Sequence, residues 1–142
     1  MHLKSLVAAA AIALAGCATT KPFDGYFGTP ELREQAGTIV FYRKAQFFGD
    51  GFRPDLAVDG KVVGPSSPGK QFKLTLAPGR HKIALADSRN PELSGMDIVV
   101  KPRETHYVKT WAGATSWIGG IAMEEVPADR AKSELAGLEA LN

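Results

Sequence analysis

The sequence predicts an all-β fold: a small antiparallel β-sandwich of about seven strands with a short C-terminal α-helix, preceded by a cleaved N-terminal signal and a flexible tether. Three observations predict it. Short β-branched and aromatic runs recur between residues 38 and 126. Turn signals such as Asp59-Gly60 and Pro78-Gly79 separate them roughly every 8 to 12 residues, the spacing of sandwiches and small barrels. Only after Pro127 does the apolar spacing change to that of a helix. The resulting division is a signal at 1–16, a tether at 17–36, one sandwich domain at 37–126 and a helix at 127–142.

The first segment has the charged, apolar, small-residue order of a secretion signal. His2 and Lys4 form a basic start, an apolar run extends from Leu6 to Ala15, and Ala15 and Gly16 precede Cys17. The run is about 10 residues, where a membrane span needs roughly 20. A retained N-terminal anchor helix is the alternative. Leu14-Ala15-Gly16-Cys17 resembles the bacterial lipobox, which makes residues 1–16 a lipoprotein signal. The resemblance implies that diacylglycerol is joined to the Cys17 sulfur, that signal peptidase II cuts before Cys17, and that the freed amine is acylated. Cys17 is the sole cysteine of the chain. One acyl chain holds a protein marginally, whereas two or three, at about 0.8 kcal/mol per buried methylene, make release negligible. Ala18, where inner-membrane lipoproteins tend to carry Asp, resembles an outer-membrane sorting signal and implies a domain facing the periplasm. No cofactor is expected beyond the covalent diacylglycerol and N-acyl chain on Cys17.

Cleavage leaves 126 residues with sixteen basic and fifteen acidic side chains, a balance that argues against a nucleic-acid partner. No disulfide can form within the chain, so the domain rests on its apolar core. Residues 18–36 show little periodicity and read as the tether. Phe23, Tyr26 and Phe27 are unusual there; they dock on the domain or lie at the lipid surface.

Residues 38–44 (TIVFYRK) are apolar on both faces, with Ile39 and Phe41 on one and Val40 and Tyr42 on the other, which marks a central strand. Gly and Pro make 46–54 a loop. Leu56 and Val58 lead into Asp59-Gly60, a type I′ hairpin turn, and Lys61-Val62-Val63 returns. In 71–79, Phe72, Leu74 and Leu76 alternate with Lys73 and Thr75; Pro78-Gly79 turns the chain and 80–87 pairs back. Strands follow at 96–101 and 105–111, joined by Pro102-Arg103-Glu104, then a flexible 112–116 and a last strand within 117–126. Ala131, Leu135 and Leu138 recur at helical spacing after Pro127, so their stripe packs on the sandwich or on a partner.

From about residue 37 to 134 the chain resembles the bacterial lipoproteins that carry the domain of unknown function 2846. The resemblance lies in Phe41-Tyr42-Arg43, VDGKVVG (58–64), LAPGRHKI (76–83), ETHYVK (104–109) and a closing strand that ends in EEV (124–126). The Asp-Gly hairpin followed by a Pro-Gly turn is also similar to PEGA-type surface modules. The resemblance implies a small β-sandwich and carries over no catalytic residue.

Candidate chemistry is sparse. His81 and His106 lie in strands, with Asp87 and Asp97 as conceivable partners, and show no metal-ligand spacing. No serine sits in a Gly-x-Ser-x-Gly elbow, and the glycine-rich pieces lack a P-loop ending. Lys73, Lys82 and Lys109 read as solvated strand faces. Arg43 is placed to pair with a carboxylate, Asp59 or Glu104, or to bind a ligand. Phe47, Phe48 and Phe52 surround Gly49-Asp50-Gly51, while Trp111 and Trp117 bracket AGATS. Each group either closes an open end of the sandwich as core or, exposed, forms a recognition patch for an envelope protein or glycan. The expected function is a membrane-anchored, non-enzymatic binding or envelope-structural module. A ligand carrier or inhibitor using loops 46–53 and 111–117 is the alternative, and a hydrolase a more distant one.

Overall fold

The computed structural model describes residues 21–86, 95–113 and 120–141. The elements are β1 (Tyr26–Phe27), a 3-10 turn (Pro30–Gln35), β2 (Gly37–Arg43), β3 (Asp55–Val58), β4 (Lys61–Pro65), β5 (Lys70–Leu76), β6 (Gly79–Leu85), β7 (Met96–Val100), β8 (Thr105–Ala112), β9 (Ile121–Glu125), α1 (Ala128–Leu135) and β10 (Glu139–Ala140). They form two sheets. One has the order β1-β5-β2-β8-β9 with β10 also on β5, and the other has the order β4-β3-β6-β7. Eight of the ten strands build the body of the two sheets, one more than the sequence suggests.

One apolar core fills the space between the sheets. Ile39, Phe41, Phe72, Leu74, Leu76 and Val108 come from the first; Leu56, Val58, Val63, Ile83, Ile98 and Val100 come from the second. The period-2 alternation of β5 is visible directly, because Phe72, Leu74 and Leu76 are buried while Lys73 and Thr75 are exposed. Phe41 and Phe72 lie opposite each other on β2 and β5 and stack with centroids 5.0 Å apart. β2 is buried on both faces, as a central strand must be.

The β3–β4 hairpin forms as its sequence dictates. Asp59 and Gly60 both have positive φ, 49° and 80°, the requirement of a type I′ turn. The next expected pairing does not form. The segment after Pro78-Gly79 leaves β5 and crosses to the other sheet, where β6 pairs with β3 and β7. The Pro102-Arg103 turn likewise carries the chain from β7 across to β8 in the first sheet. β8 therefore lands beside β2 and runs parallel to it, with Thr38 opposite Thr105 and Tyr42 opposite Lys109. The sheets are mixed rather than purely antiparallel. A turn signal marks where the chain reverses but does not say which sheet it enters.

The expected tether at 17–36 is largely part of the domain. β1 pairs in parallel with Thr75 and Leu76 of β5, and the Phe23 N–H donates to the Val63 carbonyl of β4. Phe23 packs edge-on against Phe27 at 4.7 Å, Lys61 lies over the Phe27 ring and Arg33 over Tyr26. Residues 22–27 thus close the flank between the β4 and β5 edges, which covers backbone groups that an open edge leaves unpaired.

The C-terminal helix is shorter than the expected 127–142. Pro127 starts it and Gly137, at φ 84°, stops it. The chain then returns as β10, which pairs in parallel with Lys70 and Gln71, while Lys70 and Glu139 form an ion pair. The helix stripe packs on its own sheet: Ala131 is fully buried with Tyr42 and Val126, and Leu135, Leu138 and Tyr107 surround them. No helix among the described residues is long and apolar enough to cross a membrane.

Candidate functional site

Arg43, the 46–53 loop and Trp111 meet at one end of the sandwich. β2 and β8 finish there, β3 and β5 begin there, and the 44–54 segment spans it. Arg43 follows the inward-facing series Ile39 and Phe41, so its side chain enters the space between the sheets and is 1% exposed. It meets neither Asp59 nor Glu104. The guanidinium instead donates to three backbone carbonyls: Phe52 at 2.7 Å, Gly49 at 2.7 Å and Ser66 at 3.0 Å. The expected carboxylate clamp is thus a loop anchor. The fork of an arginine matches several acceptors at once, and charge strengthens each bond. Burial pulls the Arg43 pKa down, and the Asp50 carboxylate nearby opposes that shift. Beside it the buried Ser66 and Thr110 hydroxyls bond to each other at 2.8 Å.

Further bonds fix the loop around this anchor. The Gln46 N–H donates to Asp50 Oδ1 at 2.9 Å, and the Ala112 N–H donates to Gln46 Oε1 at 2.9 Å. The Phe52 N–H reaches the Gly49 carbonyl at 3.0 Å. Phe52 is half-buried within this base. Phe47 and Phe48 at the tip are 94% and 79% exposed and lie edge-to-face, centroids 5.0 Å apart. Core closure therefore fails for these two residues, because Arg43, Ser66 and Thr110 fill the end of the sandwich instead. Trp111 is half-buried on β8, whereas Trp117 and Cys17 lie outside the described residues.

Next to the loop, on the outer face of the first sheet, lies an open cleft of about 420 Å³ lined by Lys44, Gln46, Lys109, Trp111, Glu124 and Arg130, among others. Its floor is a charged network that sequence reasoning missed. Glu134 on α1 pairs with Lys109 at 2.7 Å and Arg130 at 3.0 Å, and accepts a 3.0 Å hydrogen bond from the Tyr42 hydroxyl. Arg130 also reaches Glu124 at 3.0 Å. Lys109, followed by Arg130 and Tyr42, holds the Glu134 carboxyl down at about 2. Burial, then the Glu134 carboxylate, raises the Tyr42 phenol. Lys109 is accordingly not the solvated lysine its strand suggests. The i,i+4 spacing of Arg130 and Glu134 is visible in the sequence, but their partners on β2 and β8 are not.

The histidines are tied into the fold, with partners other than those expected. His81 Nδ1 meets Asp59 Oδ2 at 2.6 Å and Nε2 meets the Ala77 carbonyl at 2.7 Å. Asp59 also accepts from the Lys82 N–H at 2.9 Å, so the turn residue holds β6 as well. His106 Nε2 accepts from the Lys101 N–H at 3.0 Å, which places the proton on Nδ1, where it is donated to Glu125 at 2.8 Å. Asp97 pairs instead with Arg80 and Lys82, and Asp87 lies outside the described residues.

An uncharacterised protein of Haemophilus influenzae is similar to this chain, 25% identical over 107 residues, which cover 74% of the chain and 61% of the relative. The chain thus spans less than two thirds of that relative's length. No family model and no solved structure matches.

Proposed function

We propose that the chain is a lipid-anchored bacterial lipoprotein whose domain serves as a non-enzymatic binding or envelope-structural module in the periplasm, on the outer membrane. The observation that carries the reading is Cys17, the sole cysteine, placed at the end of Leu14-Ala15-Gly16-Cys17. The arrangement of the domain supports it. His81, His106 and Ser66, side chains suited to acid–base or nucleophilic work, are engaged in internal bonds that join strands and turns. A nucleophile needs a free base within reach, and these groups have structural partners instead. The resemblance to the lipoproteins with the domain of unknown function 2846 points the same way. The test is Cys17→Ser with cell fractionation. The parent is expected to carry labelled palmitate in the membrane fraction and the variant to carry none; a variant that stays in the membrane with its palmitate label undiminished sinks the reading.

A second reading, a ligand carrier or inhibitor, is favoured by the 420 Å³ cleft beside Trp111. Its ligand would be a small anionic or amphoteric group, because Lys44, Lys109 and Arg130 line the cleft with Glu124. Tryptophan emission should then respond to envelope extracts, and Trp111→Ala should abolish that response without unfolding the domain.

A further inference from the structure

We propose that the Phe47-Phe48 tip is a membrane-contact element: the short lipid tether holds this end of the sandwich against the bilayer, and the two rings enter its interfacial layer. The inference rests on the Cys17 anchor proposed above.

The path of the N-terminal segment carries it. β1 lies beside Thr75 and Leu76, near the far end of β5. Moving toward the N-terminus, the chain climbs along the β4 edge: Phe23 bonds to Val63, and Pro22 lies against Gly64. Gly64 pairs with Leu56, Pro65 pairs with Asp55, and the Ser66 N–H reaches the Pro54 carbonyl. Pro22 therefore sits at the end that carries the 44–54 loop. Lys21 is four positions after Cys17, a stretch that reaches at most about 14 Å when extended. A cysteine whose acyl chains are in the bilayer thus keeps this end close to the lipid headgroups, while the Asp59-Gly60 turn at the opposite end of β3 and β4 faces away.

The tip has the composition for that position. Phe47 and Phe48 are the most exposed large apolar side chains among the described residues. Water-facing aromatic pairs are unfavourable, and an interfacial layer accommodates them. Lys44 and Arg53 flank the loop and Lys21 precedes the 22–27 segment, all three exposed, which suits anionic headgroups. The nearby acid, Asp50, is turned back to the Gln46 N–H. The loop is also built to hold its tip outward. A buried arginine is costly, and Arg43 bonds to both Gly49 and Phe52, on either side of the turn.

The test uses the full lipidated chain in phosphatidylethanolamine–phosphatidylglycerol vesicles. Phe48→Cys and, as the far-end control, Lys61→Cys are each labelled with an environment-sensitive fluorophore; thioether-linked Cys17 does not react. The label at position 48 is expected to shift to the blue and lose most of its emission to lipid-borne quenchers, while that at position 61 stays aqueous. Flotation and acyl labelling of the unsubstituted chain are read in parallel. A chain that floats with an aqueous label at 48 overturns the membrane contact and leaves the anchor standing. A chain that neither floats nor incorporates label overturns the anchor, and the contact with it. Shielding that grows with protein density instead of responding to quenching lipid assigns the tip to a second copy or another protein, which also refutes the proposal. Hydrogen exchange of the unsubstituted chain provides a label-free check. Amides in 45–53 should slow on vesicles relative to an unlipidated chain that begins at Ala18, and equal rates contradict the contact.

Discussion

Replacing Arg43 with methionine tests how the loop end of the sandwich is held. The variant keeps an unbranched apolar stem but removes three charge-assisted bonds, to Phe52, Gly49 and Ser66. The Ser66 carbonyl is the costly one, because that bond is fully buried, and a buried unpaired acceptor costs about 1–3 kcal/mol. The other two bonds are part-buried, so water can replace the guanidinium there at a loss of about 0.5–1 kcal/mol each. Against this stands relief from burying a cation, which offsets about 1 kcal/mol or more. The expected net loss is about 2 kcal/mol, a fall of roughly 1–2 M in the urea midpoint for a domain of this size. Amide exchange in 46–54 should rise more than exchange in β3 and β6, because the loop loses its fastening while the apolar core stays intact. A loss well under 1 kcal/mol, or equal loosening throughout, would refute Arg43 as the loop anchor.

Glu134→Gln removes the charge shared by Lys109, Arg130 and Tyr42 and should cost about 1–2 kcal/mol at neutral pH. The folded Glu134 carboxyl is held at about 2, below its ordinary 4.5, so its contribution is complete above 4.5 and is lost as pH falls from 4.5 through 2. Parent and variant urea midpoints should converge over that range; a constant gap would contradict the network. Gly60→Ala places a methyl where no other atom lies within 4 Å, at φ 80°. Its cost is therefore conformational alone, about 1 kcal/mol by thermal melting, and a neutral result would mean that the turn is not type I′. Ala131→Leu overfills the fully buried seat of α1 against Tyr42 and Val126 and should destabilise by about 1–3 kcal/mol. An unchanged melting temperature would show that the helix is not seated on the sheet.

Local chemistry was legible in the sequence, whereas partnership across the molecule was not. Asp59-Gly60 dictates its hairpin because two adjacent residues must take positive φ, and β5 alternates because one face is buried and one is wet. Pro127 and Gly137 bracket the helix in the same local way, but Glu139 and Ala140 carry no β signal of their own. They become a strand because the β5 edge offers backbone partners. Pro78-Gly79 specifies a reversal in either sheet arrangement, so the crossing of β6 to β3 had no local signature. The same holds at the site. Phe23, Tyr26 and Phe27 hinted at docking, since aromatics are poor tether residues. Arg43, one position past an apolar strand, could be expected to need acceptors, but carbonyls 6 to 23 residues away are invisible to spacing. The exposure of Phe47 and Phe48 follows from that arginine: once it occupies the end of the core, the aromatic rings have no place there.

The proposed lipid on Cys17 is the premise on which both the proposed location and the proposed orientation of the domain depend. Intact mass measurement of the chain purified from bacterial membranes tests it most directly. The account predicts a polypeptide that begins at Cys17 and carries the added mass of diacylglycerol and one amide-linked acyl chain. A chain that retains Met1–Gly16, or one that begins at an unmodified Cys17 with a free thiol, would contradict it.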